Sequence, residues 1–168
     1  MMNVPCEYGF LTKMLLSFFL MQSSMSYAEE GLVIKSEVLK GGTKVGIVVG
    51  VSEFSDDDLM FSDPIWWGAE LTSPRTYIKK VLVRVGENES LVRLSSYSDL
   101  VNINSIDLAV IDQGFSILVD GGETATHYKA VINFDNEGYL LNRKVYSPSF
   151  PEEIWEETRY SFVRRQDM

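Results

Sequence analysis

Histidine and cysteine are almost missing from this chain. Among its 168 residues there is one histidine, His127, and one cysteine, Cys6. A Ser or Cys nucleophile with a histidine base would depend on His127 alone. That residue follows "GGETAT" at the start of an alternating segment, where a surface histidine is the plainer reading. Zinc, copper and iron sites draw on clustered His, Cys and carboxylate, and this composition does not supply them. With no cysteine beyond position 6, a disulfide scaffold is excluded. Glycine-rich phosphate loops are missing too: "GG" at 41–42 and "DGG" at 120–122 read as turns between strands. Positive charge is scarce, with 15 Lys and Arg against 24 Asp and Glu and a net charge of −9. Such a balance repels nucleic acid and anionic lipid surfaces and keeps a small domain soluble. The expectation is a chain with no enzymatic activity, no cofactor and no metal.

The first 28 residues read as a secretory signal peptide. Lys13 precedes an apolar run from Met14 to Met21, and Ser26 and Ala28 occupy the small-residue positions of a cleavage site. The run is short of the roughly 20 apolar residues of a spanning helix, and no cysteine follows it to carry a lipid. Cleavage after Ala28 leaves residues 29–168 as a single domain, with the charge still −9 because Glu7 and Lys13 leave together. The destination is the periplasm or the extracellular space. No membrane insertion is expected after cleavage.

Beyond the leader the hydropathy alternates with period two, and the chain reads as β throughout. In "KVGIVVGVSEF", Val45, Ile47, Val49 and Val51 share one face; Gly46 and Gly50 on the other leave room for a close neighbour. Three hairpins follow. Tyr77, Val81, Val83 and Val85 share a face, with Lys79 an oddity among them, before a turn at Gly86. Ile106, Leu108 and Val110 lead into "DQG", and Phe115, Ile117 and Val119 lead out. Tyr128, Ala130, Ile132 and Phe134 lead into "DNEG", where Gly138 suits a left-handed residue. Consecutive hairpins predict an all-β antiparallel meander closed into a β-sandwich, with a small up-and-down barrel as the alternative. At the end, Pro151 followed by Glu152 and Glu153 is a helix-start signal and predicts a short C-terminal helical turn through Trp155. A last strand would then follow in "TRYSFV".

Two acidic groups invite a chemical reading. Asp56, Asp57, Asp58 and Asp63 fall close together, but their spacing is not that of a calcium loop, and a solvated acidic loop explains them. Glu152, Glu153, Glu156 and Glu157 surround Trp155, as in some sugar sites, yet on a helical turn they would serve its positive end.

Binding is what remains. Aromatic residues make 12% of the chain, and Trp66, Trp67, Trp155, Tyr77, Tyr97 and Tyr146 are more than a core this size obviously needs. The paired tryptophans of "SDPIWWGAEL" are the main candidates. On an extended segment, neighbouring side chains point to opposite faces, so one indole can be core and the other a contact surface. Pro64 ahead of them places the segment at an edge or in a loop. The expected function is an exported, non-enzymatic protein-binding domain, of inhibitor or immunity type, that occludes a basic partner. The alternative is a carbohydrate or cell-wall binding module, with Trp66 or Trp67 as platform and Asp63 or Glu70 as hydrogen-bond acceptors. Trp155 joins either site.

Overall fold

A computed structural model describes residues 31–54, 66–69 and 73–161. Among these residues nine strands make two antiparallel sheets packed as a β-sandwich, and the sheets do not close into a barrel. The first sheet holds β1 (Leu32–Val38), β2 (Lys44–Glu53), β3 (Thr76–Val85) and β4 (Asn88–Leu91), in that order. The second holds β5 (Ile103–Ile111), β6 (Gly114–Gly121), β7 (Tyr128–Asp135), β8 (Leu140–Ser147) and β9 (Phe150–Arg159). Within each sheet every strand lies beside its neighbour in sequence, as a run of hairpins dictates.

Period-two patterning decides which faces meet. Val45, Ile47 and Val49 of β2 and Val81 and Val83 of β3 are buried from one sheet. Phe115, Ile117 and Val119 of β6 and Tyr128, Ala130, Ile132 and Phe134 of β7 are buried from the other. All belong to one apolar cluster that joins the two sheets. Phe115 and Phe134 stack across β6 and β7 with centroids 5.0 Å apart.

Lys79 ceases to be an oddity in this register. Gly50 pairs with Lys80 and Val51 with Ile78, so Lys79 is the extra residue of a β-bulge. The bulge moves Ile78 into the core while Lys79 and Lys80 stay exposed. Gly46 and Gly50 are not sites of close approach: the nearest atoms an added Cβ would meet are 3.4 Å and 3.9 Å away, ordinary contact distances.

The C-terminal segment corrects the sequence reading. No helical turn follows Pro151; Phe150–Arg159 is a strand. Pro148 and Ser149 form a two-residue turn between the paired Ser147 and Phe150, and the chain returns along β8. A local helix-start signal loses here to a whole ladder of pairing. Pro151 is tolerated because β9 is the edge strand of its sheet, where a missing N–H costs little.

The chain passes from the first sheet to the second through residues 92–102, including a 3-10 turn at Leu94–Ser96. This connection is held by packing rather than by a ladder: Val92, Tyr97, Leu100 and Val101 are buried. At the other seam, β1 and β5 are bridged by exposed ion pairs, Lys35 with Asp107 at 3.0 Å and Lys40 with Asp112 at 2.5 Å. Exposed pairs of this kind contribute about 0–1 kcal/mol each.

Candidate functional site

The segment 66–69 lies between the sheets' ends and is tied to the connection. The Trp67 N–H donates to the Asp99 carbonyl at 2.8 Å, and the Val101 N–H donates to the Trp67 carbonyl at 3.1 Å. The Gly68 carbonyl accepts from Asn102 Nδ2 at 2.8 Å and from Thr126 Oγ1 at 3.2 Å. Gly68 has φ +103°, and a Cβ there would lie 2.5 Å from the Val101 carbonyl oxygen and 2.7 Å from the Tyr128 ring. The glycine after the paired tryptophans is therefore required twice, by conformation and by space. Gly121 and Gly122 crowd the same place. A Cβ on Gly121 would strike the Tyr128 ring, and Gly122 lies against Gly68.

With the backbone fixed in this way, the two indoles diverge, and both are half-buried. Trp66 packs edge-on against Phe54 at 5.3 Å, and Phe54 against Tyr77 at 5.8 Å. Trp67 turns to β9, where it stacks on Trp155 with centroids 5.5 Å apart and planes 16° apart. Its Nε1 donates to Glu156 Oε2 at 3.1 Å. Neither tryptophan is the wholly core or wholly outward member of the expected pair. The most exposed of the three is Trp155, at 43%.

Two adjacent side chains of β9 reach Trp67 because the ladder slips there. Val145 pairs with Glu156 and Tyr146 with Ile154, leaving Trp155 as the extra residue of a bulge. A bulge re-aims side chains that would otherwise alternate.

Glu156 connects this aromatic stack to a buried charge. The Arg143 side chain is 2% exposed and donates two hydrogen bonds to Asp99, Nη1 to Oδ1 at 2.5 Å and Nη2 to Oδ2 at 2.6 Å. Its Nη2 also reaches Glu156 Oε2 at 3.3 Å, and Nη1 the Ser95 carbonyl at 3.4 Å. Nε is buried without a hydrogen-bond partner among the described residues. Burial works against the charge on Arg143, but the hydrogen bonds and charge of Asp99, helped by Glu156, outweigh it and hold its pKa above the ordinary arginine value. The neighbouring phenols respond to burial as well. Desolvation, with Asp99 adding to it, pushes Tyr128 far up. Desolvation also raises Tyr97 and Tyr160.

The result is an open groove of about 500 Å³ lined by Trp66, Trp67, Gly68, Ala69, Ala125, Thr126 and Trp155. A second depression of about 340 Å³ adjoins it, sharing Gly68, Ala69, Ala125 and Thr126 and adding the polar side chains of Ser73, Arg75, Asn102, Glu123 and Thr124. Much of that polarity is already engaged. Asn102 accepts from the Arg75 N–H and donates to Gly68, Thr126 bonds Gly68 and Glu123, and Arg75 pairs with Glu123.

Trp66, Trp67 and Trp155 thus come together on one groove, whereas Asp63 and Glu70 lie outside the described residues, as do Asp56, Asp57 and Asp58. Among the described residues no group of three His, Cys, Asp or Glu side chains could hold a metal ion. His127 has an acid partner that the sequence did not reveal: Nε2 is 3.0 Å from Asp120 Oδ1. Among the described residues no hydroxyl bonds its ring. Arg143 and its carboxylates were also missed. The available signal was an arginine in the apolar phase of β8, opposite Ile132 and two positions from the buried Val145.

Comparison with known proteins found no matching family model, no matching curated protein and no matching solved structure.

Proposed function

We propose that this is an exported, non-enzymatic protein-binding domain whose contact surface is the β9 edge together with the tryptophan groove, and that its partner is basic. The observation carrying this reading is the composition of β9. Phe150, Ile154 and Trp155 are exposed at 54%, 45% and 43%, on a strand that also bears Glu152, Glu153, Glu156 and Glu157. Large apolar side chains clustered on one edge and set among charges mark a contact surface. A tryptophan at the centre is the commonest kind of energetic anchor. Negative charge around it speeds encounter with a basic protein and rejects acidic ones.

A glycan-binding reading is favoured by one observation, the Trp67–Trp155 stack beside a polar depression. Sugar recognition also needs hydrogen-bonding groups with spare capacity. Asn102 and Thr126 are occupied in holding the Gly68 loop, so the protein reading is preferred.

The test is affinity capture by the full chain from an extracytoplasmic extract of its source, at low and high salt. Retention of one stoichiometric basic protein that salt releases supports the proposal. Retention of no protein, with the bait instead sedimenting with insoluble cell wall independently of salt, overturns it in favour of the glycan reading.

A further inference from the structure

We infer that the outer edge of β9 receives a basic, extended segment of the partner as a sixth strand of the second sheet. This rests on the protein-binding reading and specifies how the partner engages.

Edges are where a sheet can accept another chain, and folded proteins generally protect them. The two sheets here have four edge strands. β1 and β5 lie against each other at a seam bridged by Lys35–Asp107 and Lys40–Asp112. β4 is four residues long, Asn88–Leu91. That leaves β9, ten residues long, pairing only with β8 among the described residues.

The hydrogen-bond phase of β9 follows from its end. The Tyr160 N–H donates to the Leu141 carbonyl at 2.9 Å. Backbone groups in an antiparallel ladder alternate direction residue by residue. Thr158 and Glu156 therefore face β8, while the N–H and C=O of Glu157 and Arg159 face outward. Past the Trp155 bulge the phase reverses, and Ile154, paired with Tyr146, presents its groups outward; a second register break follows before Phe150 pairs with Ser147.

Charge selects the occupant. β9 carries four glutamates and one arginine, and Arg159 Nε is drawn to Glu157 at 3.2 Å. A second copy of this strand would set glutamate against glutamate, which destabilises cross-strand pairs. A segment with Lys or Arg at alternate positions would set one of them opposite Glu157 and bring the same row to one of Glu152 and Glu153, which as neighbours point to opposite faces. One of those side chains, or an apolar one between them, would lie over the open face of Trp155 at the mouth of the groove.

The test titrates isotope-labelled full chain with a capped synthetic peptide, Lys-Val-Lys-Thr-Lys-Val-Lys. Two controls run beside it: the same peptide N-methylated at alternate residues, and an analogue with every Lys replaced by Glu. With the parent peptide at about ten times its dissociation constant, amide exchange at Glu157 and Arg159 should slow about tenfold. Both controls should leave it unchanged. Equal binding by the N-methylated peptide, protection at Asn88 and Ser90 of β4 instead, or no binding of the parent peptide overturns strand addition. If the captured native partner still depends on Trp155 in that event, the binding surface stands and only this mode of engagement falls. If the partner is indifferent to Trp155, both fall.

Discussion

Arg143 and Asp99 are joined by two parallel hydrogen bonds, of 2.5 and 2.6 Å, between the second sheet and the connection that leads into it. The pair is lopsided. The arginine side chain is 2% exposed and the aspartate 27%. Removing Asp99 leaves a buried guanidinium with Glu156 at 3.3 Å as its remaining carboxylate. Removing Arg143 leaves carboxylates that water can reach.

From that asymmetry, Asp99→Ala should cost about 3–5 kcal/mol, the range for breaking a buried pair. Arg143→Met, which keeps much of the volume without the charge, should cost visibly less. Urea unfolding of the two variants checks the order, and a larger loss for Arg143→Met would refute it.

Gly68 and Gly42 form a matched comparison. Both have positive φ, +103° and +87°, but an added Cβ at Gly42 meets nothing within 4 Å. Gly42→Ala should cost about 1 kcal/mol of backbone strain. Gly68→Ala adds a collision with the Val101 carbonyl and Tyr128, and should cost about 3 kcal/mol or more. Equal melting temperatures for the two variants would mean that the 66–69 segment is not held as described.

The raised phenols make stability fall on the alkaline side. A tyrosine whose folded pKa lies above its unfolded value of 10 contributes fully below that pH. Above it the unfolded chain loses the proton first, and stability declines as pH rises toward the folded value. Tyr128 has the largest rise, caused first by desolvation. The slope between pH 10 and 11 should approach about 1.4 kcal/mol per unit for that residue alone. Tyr128→Phe should be less stable at pH 8, because the hydroxyl's bond to the Val101 carbonyl is lost, yet flatter above pH 10. Denaturant titrations at a series of pH values would show it; a slope identical to the parent's would not fit.

The tryptophans should separate stability from binding. Trp67 packs against the core cluster and bonds Glu156, so Trp67→Ala should cost about 2–4 kcal/mol. Trp155→Ala loses mainly the stack, about 0.5–1.5 kcal/mol. Thermal unfolding of the two variants measures the difference, and a Trp155→Ala protein that melts as early as Trp67→Ala would make Trp155 structural.

Much of this architecture was legible because alternation is a direct record of a two-faced strand. Phe115–Val119 and Tyr128–Phe134 were readable residue by residue, and the turn at Gly138 has the expected positive φ of +87°. What escaped was non-local. Pro151-Glu-Glu looks like a helix start when read alone, and only pairing with β8 makes it a strand. The bulges at Lys79 and Trp155 depend on the register of a partner strand; Lys79 marked its own as a charge in the apolar phase, while Trp155 left no such mark. Trp66, Trp67 and Trp155 were each singled out, but their convergence comes from the Trp155 bulge and from Gly68, which no spacing rule encodes. Arg143 did leave a signal, a charge in the apolar phase of β8, while Asp99, 44 positions earlier, left none.

The proposed contact surface is β9. Hydroxyl-radical footprinting of the full chain, alone and with its captured partner, addresses that directly. Phe150, Ile154 and Trp155 should lose reactivity in the complex, while Ile34 and Val38 of β1, exposed at the opposite seam, should keep theirs. Protection of Ile34 and Val38 with Trp155 still reactive would contradict it.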